Sequence, residues 1–381
     1  MSKRQKVWIG AGITVVVIAV ALQVLSRPPD SSSVAPPAIG EDETAATLAA
    51  LKPPKRARPV VAMIGINNAT EVTDYVMPVG ILRRADVAEV LMVATGSGPV
   101  KLYPALTVEP DITVADFDAR YADGADYVIV PAMEPDNDPA ALQWIKSQAA
   151  KGATVIGVCI GVMVVAETGL LDNKRGTTHW YALKDLREQH PSVQYVPDRR
   201  IVADKGVVTT TGITASMPMS LTLIEAIAGR EKAEAVARDL GLDHWDARHA
   251  SERFKFTRPF ALTVMGNVAA LWNREELAID VSPGVDEVSL ALVADAWSRT
   301  YRSQALTYGR SAGPIATRNG IRIVPDRVGA LPQDDVVDSF GNRPPARALD
   351  DVLSSIETRY GPRTRYVVAM QLEYPRLTTT P

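Results

Sequence analysis

"GVCIGVMVVAETGLLDNKRGTTHW", residues 157–180, decides how this chain is read. It holds Cys159, the single cysteine of 381 residues, between Gly157 and Gly161, and His179, one of four histidines. The run ending at the cysteine, "ATVIGVC", is short and rich in branched apolar residues, which predicts a buried parallel strand. The run after it, "IGVMVVAETGLL", predicts a helix. Cys159 therefore stands on a strand-to-helix turn, the place where open α/β sheets gather ligands. G-V-C-I-G has the spacing of a nucleophile elbow with cysteine in place of serine, and glycines at 157 and 161 relieve crowding in so sharp a turn. The adjoining helix N-terminus favours thiolate, and the Ile160 N–H can support an oxyanion. A lone cysteine is more often a small buried hydrophobe. The histidine that follows, in a polar threonine-rich loop, argues for a reactive one, with His179 taking or stabilising the thiol proton.

Working outward, apolar runs and helical periodicities alternate. "PVVAMIGIN" predicts a first buried strand, and "EVTDYVMPVGILRRA" a helix with Val72, Val76, Val79 and Leu82 at helical spacing. "VAEVLMVAT" and "ADYVIVPAM" predict further strands, and "DPAALQWIKSQAAKG" a helix. After the elbow, "RRIVADKGVVTTTG" predicts a hairpin-like pair of strands, and "TASMPMSLTLIEAIAG" and "REKAEAVARDLG" amphipathic helices that close a domain near residue 240. This alternation implies an α/β fold with a doubly wound parallel sheet covered on both faces.

At the N-terminus, residues 1–6 form a basic tip and Val7–Leu25, "VWIGAGITVVVIAVALQVL", carries no charge. That length fits a transmembrane helix. It is longer than a usual signal-peptide core and lacks an A-x-A site after it, so it reads as an uncleaved single-pass anchor. The basic tip would stay cytoplasmic, leaving the main domain extracytoplasmic, in a periplasm. Residues 26–58, rich in Pro, Ser and charge, read as a linker. Composition adds little: 46% hydrophobic, 22% charged, net charge -3, with no strongly basic face that would advertise nucleic acid.

The elbow cysteine, "AETGLLD", "TTHW" and the later "TTTG" resemble, in that order, the ThiJ/PfpI superfamily, within the class I glutamine amidotransferase-like group. The resemblance covers about residues 60–240. It is greatest to the isonitrile hydratase-like branch and to the sensor domains of AraC-type regulators. It implies a flavodoxin-like sheet, a reactive cysteine at Cys159, and an acidic partner from the segment "NNATEVTDYVMPVG". There Asp74 is the matching carboxylate by its spacing to Pro78, with Glu71 the second choice. It further implies an oxyanion donor from the backbone after the third strand. In this chain that stretch is "VPAMEPDND", so Ala132 and Met133 stand where the family has a glycine pair, and the pocket is expected to differ.

Residues 250–381 carry no recognisable motif and no helix-turn-helix pattern, which, with the anchor at the front, argues against DNA binding. "EV" at 71 and 287, "GPV" at 98 and "GPI" at 313, and "VEPD" at 108 and "IVPD" at 323 recur at offsets of 215 or 216. They are either traces of a degenerate half-repeat or chance. If a repeat, "TRYVVAM" would match "ATVIGVC" and put Met370 at the position of Cys159, and the second half would imitate a partner subunit. His244 and His249 flank Asp246 in what reads as a solvated polar loop, so no metal site is expected, and no organic cofactor is implied.

The expectation is thus a membrane-tethered domain (59–240) with a C-terminal α/β extension (241–381), existing as a homo-oligomer or as an internal pseudo-dimer. Cys159 would attack a small electrophilic substrate as a cysteine-dependent hydrolase or hydro-lyase, with Asp74 and His179 moving protons and the backbone of Ile160, Ala132 and Met133 holding negative charge. The alternative is a non-catalytic small-ligand or thiol redox sensor.

Overall fold

The computed structural model describes residues 35–374. Its centre is a seven-stranded sheet in the spatial order 201–204, 207–210, 154–157, 127–130, 60–65, 89–94, 112–113. Every neighbouring pair is parallel except Ile201–Asp204 against Val207–Thr210. This is the flavodoxin-like architecture expected, hairpin included.

The first strand shows why these residues choose this fold. All six residues of Val60–Gly65 are buried. Val61 and Met63 enter one core, and Val60, Ala62 and Ile64 the other. A strand covered on both faces must be apolar throughout. The helix that follows, Val72–Ala85, is capped by the Glu71 side chain, which accepts from Asp74 N–H, and ends at Asp86 in the left-handed region, φ 51°. Twelve of its fourteen residues are buried, Asp74 among them, so it is enclosed on nearly every side rather than lying on a surface.

The elbow follows the Thr154–Gly157 strand. Cys159 has φ 58°, a conformation that costs a non-glycine residue free energy unless the surroundings impose it. They do. Val158 N–H donates to Val130 O at 2.9 Å and Gly161 N–H to Val158 O at 2.8 Å. Thr178 Oγ1 donates to Cys159 O at 3.0 Å, and Cys159 N–H to Thr210 Oγ1 at 3.4 Å. The threonines of "TTHW" and "TTTG" therefore pin the turn. A Cβ at Gly161 would sit 2.2 Å from Val130 O and 2.6 Å from Pro131 O, so only glycine lets the Gly161–Glu167 helix start this close to the neighbouring strand.

Several expectations are corrected. Part of the segment expected as linker is a helix, Glu41–Ala50. Its alanine-rich sequence and the acids Glu41, Asp42 and Glu43 in its first turn explain it. Arg199 holds Glu43 at 2.6 Å, and Tyr127 Oη donates to Leu51 O at 2.7 Å, so this segment is bound to the domain. The anchor expected at Val7–Leu25 lies outside the described residues; among those described, no helix is long and apolar enough to cross a membrane. His249 does not sit in a solvated loop: it is buried and stacks on Phe254, ring centroids 5.2 Å apart. Among the described residues no group of three acidic, cysteine or histidine side chains is placed to hold a metal.

The second half builds a parallel four-stranded sheet, in the order 327–328, 303–309, 275–280, 336–337, with the helix Glu287–Ser298 as its crossover. It is not a separate body. Arg322–Val324 pairs antiparallel with Thr107–Glu109 in a five-stranded sheet shared by the two halves, and Glu287–Ser298 packs on Val72–Ala85. "TRYVVAM" is not a strand and Met370 does not occupy an elbow: both lie in the helix Pro362–Gln371. Short branched runs do not distinguish strand from buried helix, and the Pro362 that opens this one is suited to a first helical turn.

We expect Gly161→Ala to destabilise the fold by more than about 3 kcal/mol in urea denaturation. Gly157→Ala, whose nearest neighbours would be Val162 Cα and Val165 Cγ2 at 3.1 Å, should cost less. Equal costs would mean that the elbow is not the tightest approach in the sheet.

Candidate functional site

Cys159 lies at the wall of a cavity of about 680 Å³. One side is the elbow, Met133 and Ile213. Trp180 and Tyr181 come from the loop after "TTH", and Tyr103 from a strand of the shared sheet. The opposite side comes from the second half: Phe256, Phe260, Val264 and Met265 on and beside the helix Arg258–Ala269, with Arg299, Tyr301 and Gln371. The surface is mainly apolar and aromatic, the usual make-up of a small-molecule site. Tyr103, Tyr181, Phe256, Met265 and Tyr301 are exposed and frame its mouth.

At the sulfur, the Ile160 N–H donates a hydrogen bond that favours the thiolate, as expected of the elbow. Burial outweighs it, with the carboxylates of Asp74, Glu71 and Glu373 adding to the effect, and the thiol is held well above its ordinary value. The adjoining helix has only seven residues, and its N-terminus is outweighed by desolvation and three acids.

Asp74 lies behind the cavity wall, fully buried. Its Oδ2 accepts from Ala132 N–H at 3.2 Å, while Oδ1 is buried without a hydrogen-bond partner among the described residues. Burial first, and then the Glu71 charge, raise its carboxyl well above the usual range. Among charged groups Asp74 acts most strongly on the Cys159 thiol. The sequence's first choice is thus the acid that acts most on the nucleophile, and its second choice lines the cavity. Glu71 accepts from Thr73 Oγ1 and from Asp74 N–H and is held by Arg299 at 2.7 Å.

Ala132 does not serve as a free oxyanion donor, because its N–H is spent on Asp74. Met133, whose backbone bridges to Thr70, makes no N–H hydrogen bond among the described residues and lines the cavity, so it is the donor left. His179 also lines the cavity, but both ring nitrogens are engaged. Nδ1 accepts from Tyr181 N–H at 3.1 Å, which makes Nε2 the donor to Gln371 O at 2.9 Å. Burial keeps the ring neutral. No nitrogen remains to take the thiol proton; His179 instead joins the elbow side of the pocket to the C-terminal helix.

Sequence reading missed two contributors. Glu373, buried, accepts from Trp180 N–H at 2.7 Å and Gly212 N–H at 2.6 Å, tying "TTHW" to "TTTG". Arg299, between Glu71 and the buried Asp295 at 2.7 and 2.6 Å, supplies the cation of the site. Both come from the motif-free second half; the Asp295–Arg299 spacing of four is a local helix pattern, but nothing local marks the contact to Glu71 or the role of Glu373.

An acid whose value is raised in the folded state keeps a proton the unfolded chain has released, so stability falls as pH rises above the ordinary carboxylate range. Asp74→Asn removes that penalty. We expect its thermal midpoint to exceed the wild type's by more at about pH 8 than at about pH 5. The same variant should lower the pH midpoint of Cys159 alkylation by iodoacetamide, while His179→Ala leaves it in place. A wild-type profile in Asp74→Asn would separate the acid from the thiol.

Residues 60–226 match the DJ-1/PfpI family. The isonitrile hydratase of Pseudomonas putida is 37% identical over 151 residues, 39% of this chain and 61% of that protein. The HTH-type transcriptional regulator CdhR of Pseudomonas aeruginosa is 30% identical over 137 residues, 35% of this chain and 40% of that protein. The match thus spans less than two thirds of either relative's length. The crystal structure of DJ-1beta from Drosophila melanogaster superposes with a TM-score of 0.44 and 22% identity, over 49% of this chain and all of that one. With its elbow cysteine, parallel sheet and buried acid in place, this part of the chain is a DJ-1/PfpI family domain.

Proposed function

We propose that the protein is a cysteine-dependent hydrolase or hydro-lyase acting on a small, uncharged electrophile such as an aldehyde, amide or isonitrile. The observation that carries this reading is the strained Cys159 on a cavity, together with Asp74, the charged group that acts most on its thiol and whose Oδ1 is buried without a hydrogen-bond partner among the described residues. Strain of this kind and a buried unpaired acid are both costly, and such costs cluster where chemistry is done. In the form with Asp74 ionised, the thiol proton passes to its carboxylate as the sulfur–carbon bond forms. With an amide, the charge that develops on oxygen faces the Met133 N–H, Asp74 protonates the nitrogen, and the amine leaves as the carbonyl re-forms to give a thioester. Water then adds to that carbon and loses its proton to Asp74, which passes it to sulfur as the sulfur–carbon bond breaks and the acid is released. With an isonitrile, Asp74 protonates the carbon to give a thioimidate; water adds across its C=N bond, and the hydroxyl proton passes through Asp74 to sulfur as the formamide leaves. An aldehyde forms a thiohemiacetal, its oxygen taking the proton from Asp74, and frees the thiol by the reverse step.

The pocket favours uncharged substrates. Its carboxylates exclude anions, Arg299 is already shared between Glu71 and Asp295, and the remaining walls are apolar or aromatic. Val7–Leu25 is retained in this proposal as a membrane anchor with the domain outside the cytoplasm, on the strength of its uncharged length and the basic tip before it. The second reading, a non-catalytic ligand or thiol redox sensor, is favoured by one observation: a thiol held largely protonated reacts slowly at neutral pH.

Intact-mass spectrometry against a panel of small aldehydes, amides and isonitriles, with turnover followed in parallel, separates the two. We expect a covalent adduct on the wild type, none on Cys159→Ser, and a turnover loss of about 10²–10⁴-fold in Asp74→Asn. Reversible binding without an adduct or turnover, unchanged in Cys159→Ser, would favour the sensor.

A further inference from the structure

Five elements of the second half begin at a fixed offset from elements of the first. Val60 and Glu275, Val72 and Glu287, Val100 and Ile315, Thr107 and Arg322, and Ile112 and Arg327 open matching strands and helices, each pair 215 residues apart. The strand order 112–113, 89–94, 60–65, 127–130 recurs as 327–328, 303–309, 275–280, 336–337. The copy also repeats a helix–glycine–helix corner: Gly229 has φ 87° and ψ 167°, and Gly361 has φ 85° and ψ 167°. It lacks the elbow. Ser289 stands where the first half has Asp74, and the chain passes from Val336–Val337 to the Pro345–Tyr360 helix with no cysteine-bearing strand and turn between.

The two copies face each other as subunits related by a two-fold axis would. Val108 pairs with Ile323, its own counterpart, and Thr107 and Glu109 pair with Val324 and Arg322, a self-complementary arrangement. The crossover helices Val72–Ala85 and Glu287–Ser298 pack together. Their caps are exchanged by the same axis. Glu71 and Asp286 each cap a helix, and each takes an arginine from the other copy: Arg299 holds Glu71, while Arg84, 215 residues before Arg299, holds Asp286. Chance similarity does not produce matched registers, a self-paired strand and a reciprocal pair of salt bridges together.

We propose that residues 275–371 are a degenerate second copy acting as a built-in partner, and that Arg299 is a positioning residue for Cys159, acting through Glu71. The two reciprocal ion pairs are no longer equivalent, because only one of them adjoins a nucleophile. The groups facing the Cys159 end are Asp74 and Glu71 from the first copy, Arg299 and Asp295 from the second, Glu373 from the segment just after it, and the neutral His179. Arg299 is the cation among them. It fixes the Glu71 carboxylate at the head of the helix that carries Asp74, and it offsets negative charge beside the sulfur. Arg84 does the same mechanical work on a side that has no cysteine.

The test is the pH midpoint of Cys159 alkylation in the full chain, a readout that stands whether or not the sulfur forms adducts with substrates. Arg299→Gln should move the midpoint upward by about half a pH unit or more. Arg84→Gln, which breaks the symmetry-related pair, should leave it at the wild-type value although it too destabilises the fold. Arg299→Lys, a point charge that does not fork between two carboxylates, should shift it in the same direction by less. If Arg299→Gln does not fold, the Lys variant carries the comparison with Arg84→Lys. An unmoved midpoint in the Arg299 variants, or equal shifts in the Arg84 and Arg299 variants, would overturn the proposal and leave both arginines as structural ties.

Discussion

The tightest constraint in the molecule is the approach of the Gly161–Glu167 helix to the end of the Tyr127–Val130 strand, where no side chain fits at Gly161. It makes the preceding turn sharp, and the sharp turn pushes Cys159 into positive φ. Cys159 sits buried at the edge of one of the two cores and also reaches the cavity wall, with the Ile160 N–H on its sulfur. Thr178 and Thr210 are buried here because they hold the turn from outside, and Glu373 in turn holds the segments that carry them. The site is therefore a consequence of backbone packing first and of side-chain chemistry second.

Charge inside the site follows a different logic. Four buried acids, Glu71, Asp74, Asp295 and Glu373, crowd one region. Burying carboxylates is expensive unless they are paired, hydrogen-bonded or protonated, and each is treated differently. Glu71 and Asp295 share one arginine, and Glu373 takes two backbone N–H groups. Asp74 has a single backbone donor, an unpartnered oxygen and no cation bonded to it, whereas Asp295, which also has an unpartnered oxygen, is held by Arg299. The acids thus differ by their partners rather than by residue type.

How far the sequence discloses this follows from range. The central strands and their helices are legible because buried parallel strands are written as continuous apolar runs, and the elbow because its steric demand falls on glycines two residues either side of Cys159. The Glu41–Ala50 helix is obscured by the prolines around it. His179 looks like a loop histidine because its neighbours are threonines, yet those threonines are fully or nearly buried, and polarity misleads wherever hydroxyls bond to backbone. The ties of Arg299 to Glu71 and of Glu373 to Gly212 are invisible for another reason: they span 228 and 161 residues, and no periodicity encodes such a contact.

The repeat explains why the chain retains a half that has lost its nucleophile. The Val72–Ala85 helix is apolar on the face turned away from its own sheet as well as on the face turned toward it. A helix of that kind does not remain in water on its own. The second copy keeps the parts that cover it, the Glu287–Ser298 helix and the strands behind, and lacks the parts that would only have made a second elbow. A partner subunit would supply the same cover, at the concentration dependence of any dimer. Carried in the same chain, the cover is always present, and it is free to diverge on the side that does not touch Cys159. The Arg258–Ala269 helix and the C-terminal clasp at Glu373 lie on the remaining side, where they wall and close a single pocket. An asymmetric chain can thus place aromatic residues over one site without repeating them over a site that no longer exists.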